Sequence, residues 1–254
     1  RLKLKKFSED DVADKIFFPS AKGRAGPTTV AAGVGFALAL AGERTLIVDG
    51  DNVSGCALTV CGCRGLQVFT VEDFKNGACR AKQTITQHPK IKNLYVMPTL
   101  GCSDKKAAES AVRETEGLFD YVLCDNAAYG ACDRAVVVTE PYTPSVRAAD
   151  GAVAALKDGG IKLSGIIVNK VNGGLILSGD IAYPEDIARA LNVPLVAVLP
   201  EDLALTLGRW RDYSKKYFKI AAARIMGKNV KIPYLESSYT GAGGYFRRKM
   251  REKI

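Results

Sequence analysis

Lys22-Gly23-Arg24-Ala25-Gly26-Pro27-Thr28-Thr29 is the stretch that decides the fold. A short apolar run, Ile16 to Pro19, precedes it. A run rich in Ala, Val and Leu, Thr28 to Ala41, follows and is closed by Gly42. Strand, glycine-bearing turn and helix together are the context in which N–H groups at a helix N-terminus hold phosphate. Such a loop needs glycines for close backbone approach, consecutive N–H donors, a lysine for the β- and γ-phosphates and a hydroxyl for Mg2+. Gly23 and Gly26 keep two of the tight positions and Thr28 keeps the hydroxyl, with Thr29 after it. Pro27 stands where the phosphate lysine belongs. It removes the cation and a backbone N–H in one step, yet suits the first turn of a helix. Arg24 also stands where a glycine is usual. It either swings inward to return a cation to the phosphates or, as most loop arginines do, points to solvent.

Outward from the loop, short apolar runs alternate with longer helical patterns. That alternation predicts βαβ units and one doubly wound, mostly parallel sheet flanked by helices, the α/β architecture of P-loop nucleotide-binding proteins. Strands are expected at Ile16–Pro19, Thr45–Val48, Leu94–Met97, Tyr121–Cys124, Arg134–Thr139, Gly165–Val168 and Leu195–Val198. Helices are expected at Thr28–Ala41, Phe69–Asn76, Ala81–Gln87, Lys105–Gly117, Ser145–Asp158 and Pro184–Leu191, and through most of Leu203–Met226. The domain organisation read from this is an N-terminal extension over 1–13, an α/β domain over 14–232, a Ser-, Tyr- and Gly-rich tether over 233–244 and a basic amphipathic helix over 245–254. Two expected strands end in aspartate, Asp49 and Asp125. Carboxylates outside the carboxyl ends of parallel strands stand where a metal-nucleotide would bind. A lone aspartate there would more simply cap the next helix; the pair favours a site.

Hydrophobic residues make up 47% and charged residues 25%, an ordinary globular balance. No run of about 18 apolar residues occurs, and the basic start is followed by acidic residues rather than the apolar core of a signal peptide. The net charge of +9 leaves two readings open, a solvated basic surface or an anionic partner. Seven cysteines at irregular spacing read as free thiols of a reducing cytoplasm. Cys61-Gly62-Cys63 is a weak metal signal, because a tetrahedral site needs four ligands and the single histidine, His88, lies apart in sequence. Two such motifs facing each other across a dimer would reach four.

The loop, Leu46-Ile-Val-Asp-Gly-Asp51, Cys79-Arg-Ala-Lys-Gln-Thr-Ile85, Lys92-Asn-Leu-Tyr-Val-Met-Pro98, Asp133-Arg-Ala-Val-Val-Val-Thr-Glu-Pro141, Ser145-Val-Arg-Ala-Ala-Asp150, Val168-Asn-Lys170 and Val198-Leu-Pro-Glu-Asp202 are similar to the bacterial MinD family within the deviant Walker A (ParA/MinD) group. The resemblance covers about residues 14–254. It implies an ATP-dependent homodimer that uses ATP/ADP with Mg2+, binds membrane through a C-terminal helix and helps place the division site with regulator proteins. By position it implies that Lys22 reaches the partner subunit's nucleotide and that Gly23, Arg24, Ala25, Gly26, Pro27, Thr28 and Thr29 form the phosphate loop. Thr28 and Asp49 then serve Mg2+, Asp51 the attacking water, Asp125 is the second nucleotide carboxylate, and Asn169 meets adenine. The chain departs from the family at the chemistry. The lysine is Pro27, the L-R-N-L-D stretch is Ser54-Gly-Cys-Ala-Leu58, and the D-x-P-A-G switch is Asp125-Asn-Ala-Ala-Tyr129. Three altered segments point to weak or lost ATP binding and hydrolysis. The alternatives are a nucleotide-free adaptor of the same fold, or a metal-insertion factor using Cys61 and Cys63 at a dimer interface.

At the C-terminus Phe246, Met250 and Ile254 fall on one helical face, and Arg247, Arg248 and Lys249 belong to the basic remainder. A basic helix with an apolar edge predicts binding to an anionic membrane surface, with the protein cytoplasmic and peripheral on the inner face of the cell membrane. No sequence-specific nucleic-acid partner is expected.

Overall fold

The computed structural model describes residues 12–20, 23–206 and 209–240. Among them the elements are β1 Asp14–Phe18, α1 Pro27–Leu40, β2 Thr45–Asp49, α2 Cys56–Val60, α3 Val71–Lys75, β3 Thr86–Gln87, β4 Leu94–Pro98, α4 Lys105–Thr115, β5 Tyr121–Asp125, β6 Arg134–Thr139, α5 Thr143–Asp158, β7 Lys162–Val171, α6 Gly173–Ser178, α7 Pro184–Ala190, β8 Leu195–Pro200, α8 Leu203–Thr206 and α9 Asp212–Ile225. The strands form one sheet in the order β3-β4-β2-β5-β1-β6-β7-β8. Pairs β2–β4, β2–β5, β6–β7 and β7–β8 are parallel, and the short β3 is antiparallel on β4. The doubly wound, mostly parallel α/β fold expected from the alternation is the fold observed. The chain divides into two compact units, residues up to 17 with 38–133, and 18–37 with 134 onward.

In the first unit β2 reads Thr-Leu-Ile-Val-Asp, and all five residues are buried. A strand with parallel neighbours on both edges and covered faces has no polar side, so its apolar run is continuous rather than alternating. Leu46, Val48, Met97, Val122 and Cys124 join one core with Ala107, Ala108, Ala111 and Val112 of α4. The start of β2 is fastened by Arg44, whose guanidinium donates to both Asp120 carboxylate oxygens at 3.2 and 2.8 Å. The helix expected over Ala81–Gln87 is not formed. Ala81–Thr84 is a single 3-10 turn, and Thr86–Gln87 pairs with Val96 and Tyr95. The β-branched run Thr84-Ile85-Thr86 suits an edge strand better than a helix. α2, not foreseen, carries a second correction. Cys61 and Cys63 follow it and are buried, at 2% and 0% exposure. Burial raises both thiols, Cys63 to about 11. They are therefore not presented at a surface where a partner subunit could complete a metal site. Among the described residues no three His, Cys, Asp or Glu side chains cluster as metal ligands, and all seven cysteines are free.

In the second unit α9 lays Tyr217, Phe218, Ala221, Ala222 and Ile225 into the core. Its Arg224 donates to the carbonyls of Leu195, Val196 and Val230 at 2.8–3.0 Å, which ties α9 to β8. The helix expected through most of Leu203–Met226 is broken into α8 and α9. Asp202 explains the pairing: its carboxylate accepts from the Ala204 N–H and from the Ser214 hydroxyl, at the start of both. α6, also unforeseen, is capped by Asn172, which accepts from the Gly174 N–H at 3.0 Å. The tether expected over 233–244 is corrected at its start. Leu235–Tyr239 is a 3-10 turn with Leu235 buried, and the Leu235 carbonyl lies so close to Gly173 that a Cβ there would sit 2.6 Å from it.

Candidate functional site

The phosphate loop belongs to the second unit. α1 begins at Pro27, and its first intrahelical bond runs from Val30 N to Gly26 O at 3.0 Å. Proline thus occupies the first helical position, where its missing N–H would have had no intrahelical acceptor. Thr28 and Thr29 are half-buried in the first turn. Arg24 is exposed, with φ +76°. A non-glycine residue in this left-handed region costs roughly 1–2 kcal/mol, so the loop keeps a glycine-type turn after losing the glycine. Gly26, φ +83°, is needed twice: for its backbone, and because a Cβ would lie 2.9 Å from the Asn169 amide nitrogen.

Two residues at the end of β7 hold the loop from beneath. Asn169, buried, donates its amide to the Ala25 carbonyl at 2.8 Å. Lys170 donates its ammonium to the Arg24 carbonyl and pairs with Glu140 at 2.7 Å. Asn169, expected by resemblance to meet adenine, also supports the loop. Lys170 and Glu140 were not singled out from the sequence. The signal available was only their place in the quoted stretches Asp133–Pro141 and Val168-Asn-Lys170, each two residues after the last valine of its expected strand. Lys22 lies outside the described residues, as do Phe246, Arg247, Arg248, Lys249, Met250 and Ile254 of the expected membrane helix.

The aspartates belong to the first unit. Asp49 and Asp125 are paired in register at the ends of β2 and β5, and both are buried. Asp49 accepts from three N–H groups: Asp51 at 3.1 Å, and Ala57 and Leu58 of α2 at 2.8 and 3.2 Å. It caps the following helix, the simpler of its two sequence readings. Burial nevertheless pushes its carboxyl above the usual range, against the lowering effect of those bonds. Asp51 folds back on its own turn, accepting from Val53 and Ser54 N–H at 3.0 Å and from the Ser54 hydroxyl. The Cys56 thiol and then Ser54 hold its carboxyl well below the usual range. Gly50, between them, has no room for a side chain, since a Cβ would lie 2.2 Å from the Asp125 carbonyl. The loop's glycines and helix terminus fit a phosphate. Pro27 offers such a phosphate neither a cation nor an N–H.

The segment after Asp125 is pinned within the same unit. Asn126 and Ala128 adopt φ +52° and +49°. Gly130 donates its N–H to Glu109 at 2.9 Å, and its carbonyl accepts from Arg113 at 2.7 Å. These two α4 side chains, one turn apart, grip both faces of Gly130. The Tyr129 ring meets Phe17 edge-on at 5.2 Å.

A family model for the CobQ/CobB/MinD/ParA nucleotide binding domain matches residues 16–208. The septum site-determining protein MinD of Bacillus subtilis is 28% identical over 256 residues, covering 91% of this chain and 95% of the relative. That of Thermotoga maritima is 27% identical over 242 residues, covering 85% and 89%. Among solved structures, MinD from the Aquifex aeolicus MinC:MinD cell division protein complex superposes with a TM-score of 0.79 at 22% identity, covering 87% of this chain and 98% of that one. The septum site-determining protein MinD complexed with Mg-ADP from Pyrococcus horikoshii gives 0.74 at 24% identity, covering 84% and 96%. With a family model spanning most of the α/β domain, this chain belongs to the CobQ/CobB/MinD/ParA family of nucleotide-binding domains, as a MinD-like member.

Proposed function

We propose that the protein is a MinD-like spatial regulator of septum placement that works mainly by binding, with weakened nucleotide affinity and lost hydrolysis. The observation that carries the reading is Pro27 at the first position of α1. Phosphoryl transfer depends almost wholly on positioning and charge stabilisation, and this substitution removes a cation and an N–H donor from the loop at once. The engaged state of Asp49 supports it. Any nucleotide the loop takes would meet Thr28 for magnesium and the main-chain donors around Gly26. The related Aquifex protein was solved in complex with MinC and the Pyrococcus one with Mg-ADP. By extension this chain forms a homodimer, engages a regulator of the MinC kind and docks on anionic membrane through residues 245–254, at the inner face of the cell membrane.

The test is ATP titration with and without Mg2+, wild type against Pro27→Lys. A charge-assisted phosphate contact is worth about 1.5–3 kcal/mol, so the variant should bind about ten- to a hundredfold more tightly. Wild-type protein should show no steady-state hydrolysis above background. A wild-type rate matching that of a relative with an intact loop lysine overturns the reading.

A further inference from the structure

Among the described residues, Arg24, Asn126, Ala128, Lys170 and Asn192 are the non-glycine residues with left-handed backbones. Two of these, Arg24 and Lys170, are joined to each other: the Lys170 ammonium donates to the Arg24 carbonyl, more than 140 residues away in sequence. Strained residues persist only where their surroundings over-determine them. Here the surroundings are visible. Glu140, at the end of β6, accepts from the same ammonium at 2.7 Å and from the Ser145 hydroxyl at 3.3 Å. Asn169 takes the next loop carbonyl, that of Ala25. Consecutive loop carbonyls are thus drawn down onto β7 by consecutive β7 side chains.

We propose that Lys170, braced by Glu140, is a positioning residue that holds the phosphate loop in its turn without any nucleotide. An ammonium already paired with a carboxylate adds little net charge to an anion site. Its contribution is to the loop's shape. A loop fixed from its own core does not need a phosphate to order it, so surfaces built on it are presented constitutively rather than on nucleotide arrival. That consequence rests on the binding-led reading above; the latch itself does not.

Backbone 15N relaxation of Gly23, Arg24, Ala25 and Gly26 in the full chain tests it, without nucleotide and then with millimolar Mg-ATP. In wild type without nucleotide these amides should show order parameters near about 0.85, as in rigid backbone, and in Lys170→Met they should fall below about 0.6. Lys170→Arg should restore them, because a guanidinium can reach both the carbonyl and Glu140, and residues of β2 should be unmoved throughout. Glu140→Gln keeps the shape and removes the brace, so an intermediate loosening is expected; this variant decides the matter if Lys170→Met does not fold. Unchanged order parameters in the variants overturn the latch and leave the proposed function standing. A wild-type loop that is mobile until Mg-ATP is added also overturns the latch, while the hydrolysis rate alone decides the proposed function.

Discussion

Arg24 is the residue at which sequence and backbone disagree most openly. Its φ of +76° belongs to glycine. Arg24→Gly removes about 1–2 kcal/mol of left-handed strain, offset by about 0.4–1 kcal/mol from a freer unfolded chain. The expected outcome is a net stabilisation of about 0.5–1 kcal/mol, read from the midpoint of urea unfolding. Asp51 offers a second test. Its carboxyl is held below its usual value of 3.8 by the Cys56 thiol and the Ser54 groups. A depressed folded pKa contributes stability that is present above about pH 4 and lost as pH falls through the folded value. Asp51→Asn should therefore cost most stability above about pH 4 and progressively less as pH falls, flattening the acid limb of the profile, as denaturation at stepped pH will show. Pro27 was legible at this scale because a proline is visible in the letters. Lys170 and Glu140 were not, because nothing in the sequence says that two strand ends far apart in the chain close on one loop.

At the level of elements the long, strongly patterned pieces were readable and the short ones were not. β2, β6 and α1 carry their own signal in apolar content, and β2 and α1 in a following glycine as well. α2 and α6 are five and six residues long, too short for helical periodicity, and depend on partners: Asp49 caps the one and Asn172 the other. β3 exists because β4 supplies its hydrogen bonds. The two aspartates were foreseen, but the use to which α2 puts Asp49 depends on a helix that the pattern did not show. The contact between β2 and β5 is sharpest at Gly50, whose N–H donates to the Asp125 carbonyl at 2.9 Å. Gly50→Ala places a methyl against that carbonyl and must push the two strand ends apart. A loss of about 1–3 kcal/mol is expected, the usual cost of overpacking, measured by chemical denaturation. An unchanged stability would show that the strand ends separate freely.

For the whole molecule, the net charge of +9 is concentrated in the sequence at Arg1–Lys6 and in the segment Tyr245–Ile254, the latter with Arg247, Arg248, Lys249, Arg251 and Lys253 beside three apolar residues. One short helix of the kind expected there would bind lipid weakly; two on the proposed dimer would gain about a hundred- to ten-thousandfold in avidity. Deleting residues 245–254 should abolish co-sedimentation with anionic lipid vesicles while leaving the melting curve of the α/β domain in place. Retained vesicle binding would assign the membrane contact elsewhere.

The position of β2 also bears on how the chain is made. Its neighbours β4 and β5 are both encoded after it, the nearer beginning about 45 residues downstream of Asp49. At a synthesis rate of about 5–20 residues per second, the run Thr45-Leu-Ile-Val-Asp49 leaves the ribosome roughly 2–9 seconds before either partner strand exists. Parallel pairing is non-local and slow to close, so this fully buried strand spends seconds unpaired. Nascent-chain shielding by a holdase is the natural requirement of such a birth order, and the yield of folded protein will track the supply of that shielding more closely than it tracks equilibrium stability.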